Sequence, residues 1–586
     1  MLNVLKIVTA HCFPILRNFN VVVLVAGYLC QNLFLMRFLL ATLCFLLFCC
    51  MAPAQIKTST STPLVTVNRP KLVVGIVIDQ MRWDYLYRFY DRYAADGGFK
   101  RFLNQGFSCE NTMVPYVPTI TACGHTCIYT GSVPAIHGIV GNAWYDPQKM
   151  RSVYCTEDST VSTVGAPEGA PGAMSPRNML VTTVCDELNL ATNFRSKVIG
   201  IAIKDRGGIL PAGHSAKAAY WYDSRNGNWI TSTYYMKELP KWVQDINAQK
   251  LVDKYYGMGW NTLYPINSYV QSTADEKSYE AVPFGADQKG FPYDLKKFAT
   301  TNYSAIANTP YGNALTIEMA KAALINEQLG ADNITDMLAI SFSSPDYIGH
   351  AFGPNSVEQE DDYLRLDKDL GSFFNFLDAK VGKGQYLVFL SADHAVAHAP
   401  GFMQEHNLPG GLAPSGRWIT DLGKILNEKF GSSKLIIGNY NHQLYLNHPL
   451  IDSLKVDEAA IKKTIVTYLS RQPEVSQVFA LDKLMEVPLP ARIRDMVANG
   501  YNQHLSGDIE VMLQSGYVEG YPTGTTHSAW QPYDAHIPLL FYGWHIAPGK
   551  TNRETYMTDI APTVSALLHI QMPSGCVGKV IEEVAK

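Results

Sequence analysis

Little in this 586-residue chain suits a polyanionic partner. It has no Lys/Arg block, and 48 basic against 52 acidic residues leave a formal charge of −4, which argues against a nucleic-acid groove. No CxxC pair and no Cys/His finger spacing occurs, so metal binding by cysteine is not expected. Internal repeats and low-complexity segments are missing as well. What is abundant is apolar surface. Hydrophobic residues make up 47% of the chain, with 33 Tyr and 24 Phe, which excludes disorder over most of its length and supplies a large core.

The first 54 residues have a different character from the rest. Arg37 precedes a 13-residue apolar run, Phe38 to Cys50, and Ala52-Pro53-Ala54 has the small-x-small form cleaved before Gln55. Residues 1–54 are therefore expected to be a secretory leader with a natural start at Met36, giving a periplasmic or secreted protein with no stable membrane span after leader removal. The alternative is an anchor formed by the apolar stretch Asn20 to Phe48. Five of the 11 cysteines lie in this leader. Cys109, Cys123, Cys127, Cys155, Cys185 and Cys576 remain, an even number that permits disulfides in an exported protein. A Thr/Ser-rich linker occupies 55–66, and 67–586 is read as one catalytic domain.

Within that domain Lys71 to Ile78 (KLVVGIVI) is a continuous β-branched run, as expected for a strand buried on both faces of a parallel sheet. Similar runs cover Lys197 to Ile203, Met337 to Phe342, Tyr386 to Leu390 and Pro538 to Tyr542. Between them Tyr363, Leu366, Leu370, Phe373 and Leu377 recur at helical spacing. Strand alternating with helix predicts an α/β fold with a large, mostly parallel central sheet flanked by helices. The span 207–311, rich in Trp, Tyr, Asn and Gly and without periodicity, is expected to be an insertion covering the sheet edge.

Polar residues follow these strands where an open α/β sheet places its ligand crevice. Asp79 follows Ile78, Lys204 follows Ile203, Asp346 and His350 come just after Phe342, and Asp393-His394 closely follow Leu390. Asp346 and His350, four apart, share a face if the turn is helical. With His527 in GTTHS the inventory is three Asp and three His, a mix that suits two borderline cations such as Zn²⁺ better than Ca²⁺ or Mg²⁺. Each signal alone is modest; an Asp after a buried run is often only a helix cap. Pro115 to Asn142 adds hydroxyls in a turn leading to a helix. Thr119 and Thr121 are both candidate nucleophiles there, since an ionised hydroxyl gains from a helix N-terminus.

The ordered set IDQMRWDYL, VPTITACGHTCIYTGSVPAIHGIVGN, IKDRGG, SSPDYIGHAFGP, SADHA, GTTHS and TDIAPTVSALLHIQMPSG resembles the PafA-type alkaline phosphatases over essentially all of 67–586. The resemblance implies two Zn²⁺ per chain. Asp346, His350 and His527 would hold one, and Asp79, Asp393 and His394 the other, with Thr121 beside it as nucleophile and further ligand. Asn142, Lys204 and Arg206 would bind the phosphoryl oxygens of small phosphate monoesters. Two turns depart from the wider pattern, with Ala395 in SADHA and Ser528 in GTTHS where Gly is common. No Cys/Ser-x-Pro-x-Arg segment occurs, which disfavours a sulfatase. His125, His137 and His398 are expected to be structural. Two other readings remain open: a nucleotide pyrophosphatase/phosphodiesterase with the same ligands, and an exported zinc protein that binds phosphorylated ligands without turnover. Natural substrate and oligomeric state are not legible.

Overall fold

Continuous apolar runs need partners on both faces and both edges, and the five runs of this chain supply them to one another. The computed structural model describes residues 67–585 except 168 and 521; the leader and the linker lie outside the described residues. Ten strands form the main sheet: β1 (Leu72–Ile78), β2 (Phe107–Cys109), β3 (Thr163–Val164), β4 (Val198–Ala202), β5 (Ala218–Asp223), β6 (Asn228–Ser232), β7 (Asp336–Phe342), β8 (Tyr386–Ser391), β9 (Leu539–Gly543) and β10 (Gly549–Thr551). Their spatial order is β10-β2-β9-β8-β1-β7-β4-β5-β6-β3. The five strands from β8 to β5 are mutually parallel, and β9 joins β8 antiparallel. Every residue of β1, β4, β7 and β8 is buried, so each Val, Leu, Ile, Met or Phe side chain there contributes roughly 1.5–3 kcal/mol.

The flanking helices include α1 (Thr121–Thr130), α2 (Asp205–Ala212), α3 (Ser344–Phe352) and α4 (Val357–Leu377). The apolar set Tyr363, Leu366, Leu370, Phe373 and Leu377 lies on α4 and is buried.

The span 207–311 differs from expectation. It starts with α2 and then supplies β5 and β6, which belong to the sheet itself. The lone Ala-Ala-Tyr-Trp-Tyr-Asp of β5 lacks the β-branched run that marked the other strands. Only the part after Ser232 lies beyond the sheet, with helices Lys241–Ala248 and Leu251–Met258 and then irregular chain. A further unit had no signal in the pattern of apolar runs. It is an antiparallel four-stranded sheet of Ile436–Tyr440, Gln443–Leu446, Ile509–Leu513 and Val475–Ala480. Helices Ser415–Phe430 and Glu458–Leu469 share its separate core of Trp418, Leu422, Ile461 and Ile465. Two of its strands are only partly buried, Ile436–Tyr440 alternating between half-buried and exposed positions. All six cysteines in the described residues are free thiols, five of them buried.

The irregular chain around 260–293 is held by hydrogen bonds to a row of buried acids on α4. Asp361 accepts from Trp260 Nε1 at 2.8 Å, Leu263 N at 2.6 Å and Tyr269 OH at 2.5 Å. Glu358 accepts from Tyr293 OH at 2.5 Å, and Asp362 from Asn313 at 2.9 Å. Beside this row Glu280 is buried, with Asp275 and Glu358 as acidic neighbours and the Lys277 N–H as a donor. Burial, reinforced by Asp275, pushes the Glu280 carboxyl up to about 8. The unfolded chain releases this proton near 4.5 while the folded chain keeps it until about 8, so the group costs stability as pH rises between those values. Glu280→Gln should flatten that pH dependence of the thermal midpoint; an unchanged slope would show that Glu280 titrates normally.

Candidate active site

Four neighbouring strands, β8, β1, β7 and β4, end on the same side of the sheet, and each delivers a charged residue. The Asp79 N–H continues the ladder by donating to Phe342 O at 3.0 Å. Lys204 is the N-cap residue of α2. Asp346 lies in the first turn of α3 and His350 in its last, so the turn carrying this pair is helical. Asp393 and His394 follow β8 after the single residue Ala392. His527 arrives from the loop beyond the four-stranded sheet and is fixed by its Nδ1 at 2.6 Å from Thr119 O. Thr121 opens α1.

The six candidate ligands fall into two groups of three, Asp346 with His350 and His527, and Asp79 with Asp393 and His394; within each group the ligand atoms lie within 4.8 Å of one another. His350 Nε2 is 3.2 Å and His527 Nε2 3.7 Å from Asp346 Oδ1. His394 Nε2 is 3.6 Å from Asp79 Oδ1 and 3.5 Å from Asp393 Oδ2. The groups adjoin, since the His394 and His527 rings stack with centroids 3.5 Å apart. Thr121 Oγ1 lies 3.4 Å from His394 Nε2. Thr119 is engaged elsewhere, its hydroxyl donating to Ala529 O at 3.0 Å. A third group, His448, Glu458 and Asp508, is half-exposed, and Lys462 Nζ reaches Glu458 at 2.8 Å and Asp508 at 3.9 Å, which makes it a surface ion-pair network.

Lys204 ties the two groups together. Its Nζ is 2.7 Å from Asp79 Oδ2 and 2.5 Å from Asp346 Oδ2, and the side chain is buried. Burial alone would lower its pKa, but Asp346 and Asp79 outweigh that and hold the ammonium above its ordinary value. Asp79 is pushed well up by burial and by the nearby Asp346 and Asp393. Asp393 is depressed, because His394 and His125 outweigh its burial. His527 is held well down by burial and by the His394 and His350 rings, and burial also lowers His394. His350 shifts the other way, since Asp346 outweighs its burial and raises it; the neutral imidazole is the form that binds a metal.

Asn142 accepts the Ala122 N–H at 3.0 Å, which leaves its NH₂ as the donor beside the start of α1. Arg206 donates from Nη1 to Tyr154 OH at 3.0 Å, and its Nε is buried without a partner. Asp205 does not pair with either cation. Its carboxylate is taken by Tyr154 OH at 2.8 Å and by the Thr156 hydroxyl. Two glycines permit this assembly. A Cβ at Gly124 of α1 would lie 2.3 Å from Asp393 O, and one at Gly200 of β4 would lie 2.1 Å from Gly208 O of α2. Ser528, where Gly is common, has φ 121, in the region that favours glycine.

Several residues at the site escaped the sequence reading. Gln80, buried and left-handed at φ 69, donates through its backbone N–H to Asp393 Oδ1 at 3.1 Å and through Nε2 to Asp346 Oδ1 at 2.8 Å. It thus holds one carboxylate of each group. His125 has Nδ1 2.9 Å from Thr121 O and 3.2 Å from Asp393 Oδ2, with Nε2 2.8 Å from Ser341 Oγ; a structural role was expected, and these contacts aim it at the site. Its position four after Thr121 was the available signal. His137 is buried and held below its usual pKa, at about 3, by burial. His398 lies 2.6 Å from Asn355 Oδ1. Of the ligand oxygens, Asp79 Oδ1 is buried without a hydrogen-bond partner, and Asp393 Oδ2 faces His125 Nδ1 at 3.2 Å and His394 Nε2 at 3.5 Å. A buried carboxylate oxygen left without a donor is costly unless a cation satisfies it. With three Asp and three His as donors, the residues fit two divalent ions of the zinc type.

A parallel sheet whose strand ends carry two carboxylate/imidazole groups defines a metallohydrolase-like site, and comparison narrows the class. A family model described as type I phosphodiesterase / nucleotide pyrophosphatase matches residues 73–481, and the chain belongs to that family. It is 54% identical over 543 residues to alkaline phosphatase PhoV of Synechococcus elongatus, spanning 92% of this chain and 98% of the relative. Identity to alkaline phosphatase PafA of Elizabethkingia meningoseptica is 51% over 524 residues, 88% of this chain and 95% of the relative. A crystal structure of alkaline phosphatase PafA matches with a TM-score of 0.87 at 51% identity, covering 89% of this chain and all of that one. Within the family, then, the chain is a PafA-type alkaline phosphatase. A relative from Myroides odoratus, 51% identical over 522 residues, bears the name calcium-transporting ATPase; among the described residues here no helix is long and apolar enough to cross a membrane.

Removing the Gln80 side-chain amide should loosen Asp346, while the backbone N–H that holds Asp393 survives. Gln80→Ala is expected to lower Zn²⁺ affinity roughly 10- to 100-fold, read by competition with a chelator, the size typical of losing an outer-shell partner. Wild-type affinity in this variant would show that Gln80 only fills space.

Proposed function

We propose that this chain is an exported phosphatase that hydrolyses phosphate monoesters through a phosphothreonine at Thr121. The observation that carries the reading is the Thr121 hydroxyl at the first position of α1, 3.4 Å from His394 Nε2 and bordering the group bridged by Lys204. Asp346, His350 and His527 would hold one Zn²⁺ and Asp79, Asp393 and His394 the other, and two such ions supply Lewis acidity and a lowered hydroxyl pKa. Thr121 Oγ attacks phosphorus in line, forming the P–Oγ bond as the bond to the leaving oxygen breaks. Water then cleaves the phosphothreonine and returns the hydroxyl. The start of α1 favours negative charge on Oγ. Asn142, Lys204 and Arg206 donate to the non-bridging oxygens, a site suited to a dianion. The leader would direct the chain to the periplasm or outside the cell.

Thr119 and Thr121 can be separated by substitution. Thr121→Ala should lower kcat about a thousandfold or more by removing the covalent route. Thr119→Ala should retain much of the rate, because the group that fixes His527 is the Thr119 carbonyl, which survives the change. Phosphate trapped on another residue would refute the assignment.

Charge decides between monoester and diester. A monoester places nearly two negative charges on three free oxygens, a diester one charge on two. Lys204→Ala combined with Arg206→Ala should therefore lower monoester kcat/KM by at least ~10² to 10³, with a distinctly smaller loss on a methyl aryl diester. Equal losses would show that the pair does not set the preference, and a wild-type preference for the diester would favour the phosphodiesterase reading.

A further inference from the structure

A cavity of about 450 Å³ opens over the carboxyl ends of β4 and β5, beside Lys204 and Arg206. Its size is that of a small-organic-ligand site. The inner wall is Trp221 and Tyr222, at the end of β5. The Trp221 Nε1–H is already given to Pro171 O at 2.6 Å and the Tyr222 hydroxyl to Tyr303 O at 2.9 Å. What both rings have left to offer a ligand is carbon surface. Tyr154 and Tyr347, each half-buried, line the end nearest the phosphoryl donors. Arg206 is bonded to the Tyr154 hydroxyl, and Lys204 Nζ lies 5.1 Å over the Tyr347 ring. Asp205 also borders the space, and both its oxygens accept from the Tyr154 and Thr156 hydroxyls, which engages them within the wall. The side chains that would grip the phosphoryl group thus form one end of an aromatic-walled cavity, and an ester group attached to that phosphorus has this space within reach.

We propose that this cavity is the subsite for the organic group of the ester, and that it selects phosphate monoesters carrying an aromatic ring, aryl or nucleoside, over small alkyl esters. The proposal rests on the phosphomonoesterase reading of the site. A flat ring gains contact with the aromatic walls that a short alkyl group leaves to water. Ser224 and Ser304 stand exposed at the mouth, and a large side chain at either one fills the space without touching the core.

The test uses the zinc-loaded enzyme and two non-hydrolysable ligands, phenylphosphonate and methylphosphonate, titrated by calorimetry into wild type, Ser224→Trp and Ser304→Trp. Wild type should bind the phenyl compound roughly tenfold more tightly. The tryptophan variants should lose that preference while keeping methylphosphonate affinity within about twofold, the phosphoryl donors being intact. Equal wild-type affinities, or a preference that survives both substitutions, would overturn the subsite. A preference lost in the variants upholds it even if no monoester is turned over, in which case the phosphatase reading fails alone.

Discussion

Three carboxylates are buried within one small volume at the strand ends, and a single ammonium makes that arrangement tolerable. Asp79, Asp346 and Asp393 each have at most 3% of their surface exposed. Like charges so close to one another, cut off from water, repel strongly and drive one of the group toward its protonated form, which is the direction in which Asp79 is displaced. Lys204 offsets this by contacting Asp79 and Asp346 at once, and Gln80 spreads neutral donors over Asp346 and Asp393. Removing one partner of such a buried set costs far more than a surface ion pair is worth. The sheet registers β8, β1, β7 and β4 side by side, and that adjacency is what allows one lysine to serve carboxylates from different loops.

Much of this was legible because buried parallel strands announce themselves. The runs at 71–78, 197–203, 337–342 and 386–390 mark β1, β4, β7 and β8 to within a residue or so, and the polar residue after each lands at the site. The same criterion failed where burial is one-sided. Ile436–Tyr440 and Val475–Ala480 are short, only partly buried and without a continuous apolar run, so the second sheet gave no signal. The edge was misread for a related reason, since Ala218–Asp223 is fully buried yet spelled with alanine and aromatics instead of Val and Ile.

At the site itself, residues with donor atoms of recognisable chemistry could be found, but those that act by orientation could not. Gln80 is one residue past Asp79, and nothing in its type reveals a left-handed backbone that turns its amide toward one carboxylate and its N–H toward another. Tyr154 lies on a hairpin strand, Arg151–Tyr154, about fifty positions from Arg206, and only the fold brings the two together. The substitution of Ser for Gly at 528 was visible, whereas its cost, a backbone angle that side chains rarely adopt, became readable only from the observed φ of 121.

The row of acids on α4 has a consequence for the order in which the molecule is made. Trp260, Leu263 and Tyr269 are tethered to Asp361 across sequence separations of 101, 98 and 92 residues, and Tyr293 to Glu358 across 65. The anchor is therefore synthesised well after the chain it anchors. Until α4 has left the ribosome and docked on the sheet, the 260–293 stretch lacks the acceptors that hold it, since it has little regular structure of its own. It must wait through 65 to 101 further residues of synthesis before its acceptors arrive, and in that interval a stretch without regular structure is open to cleavage or misassociation.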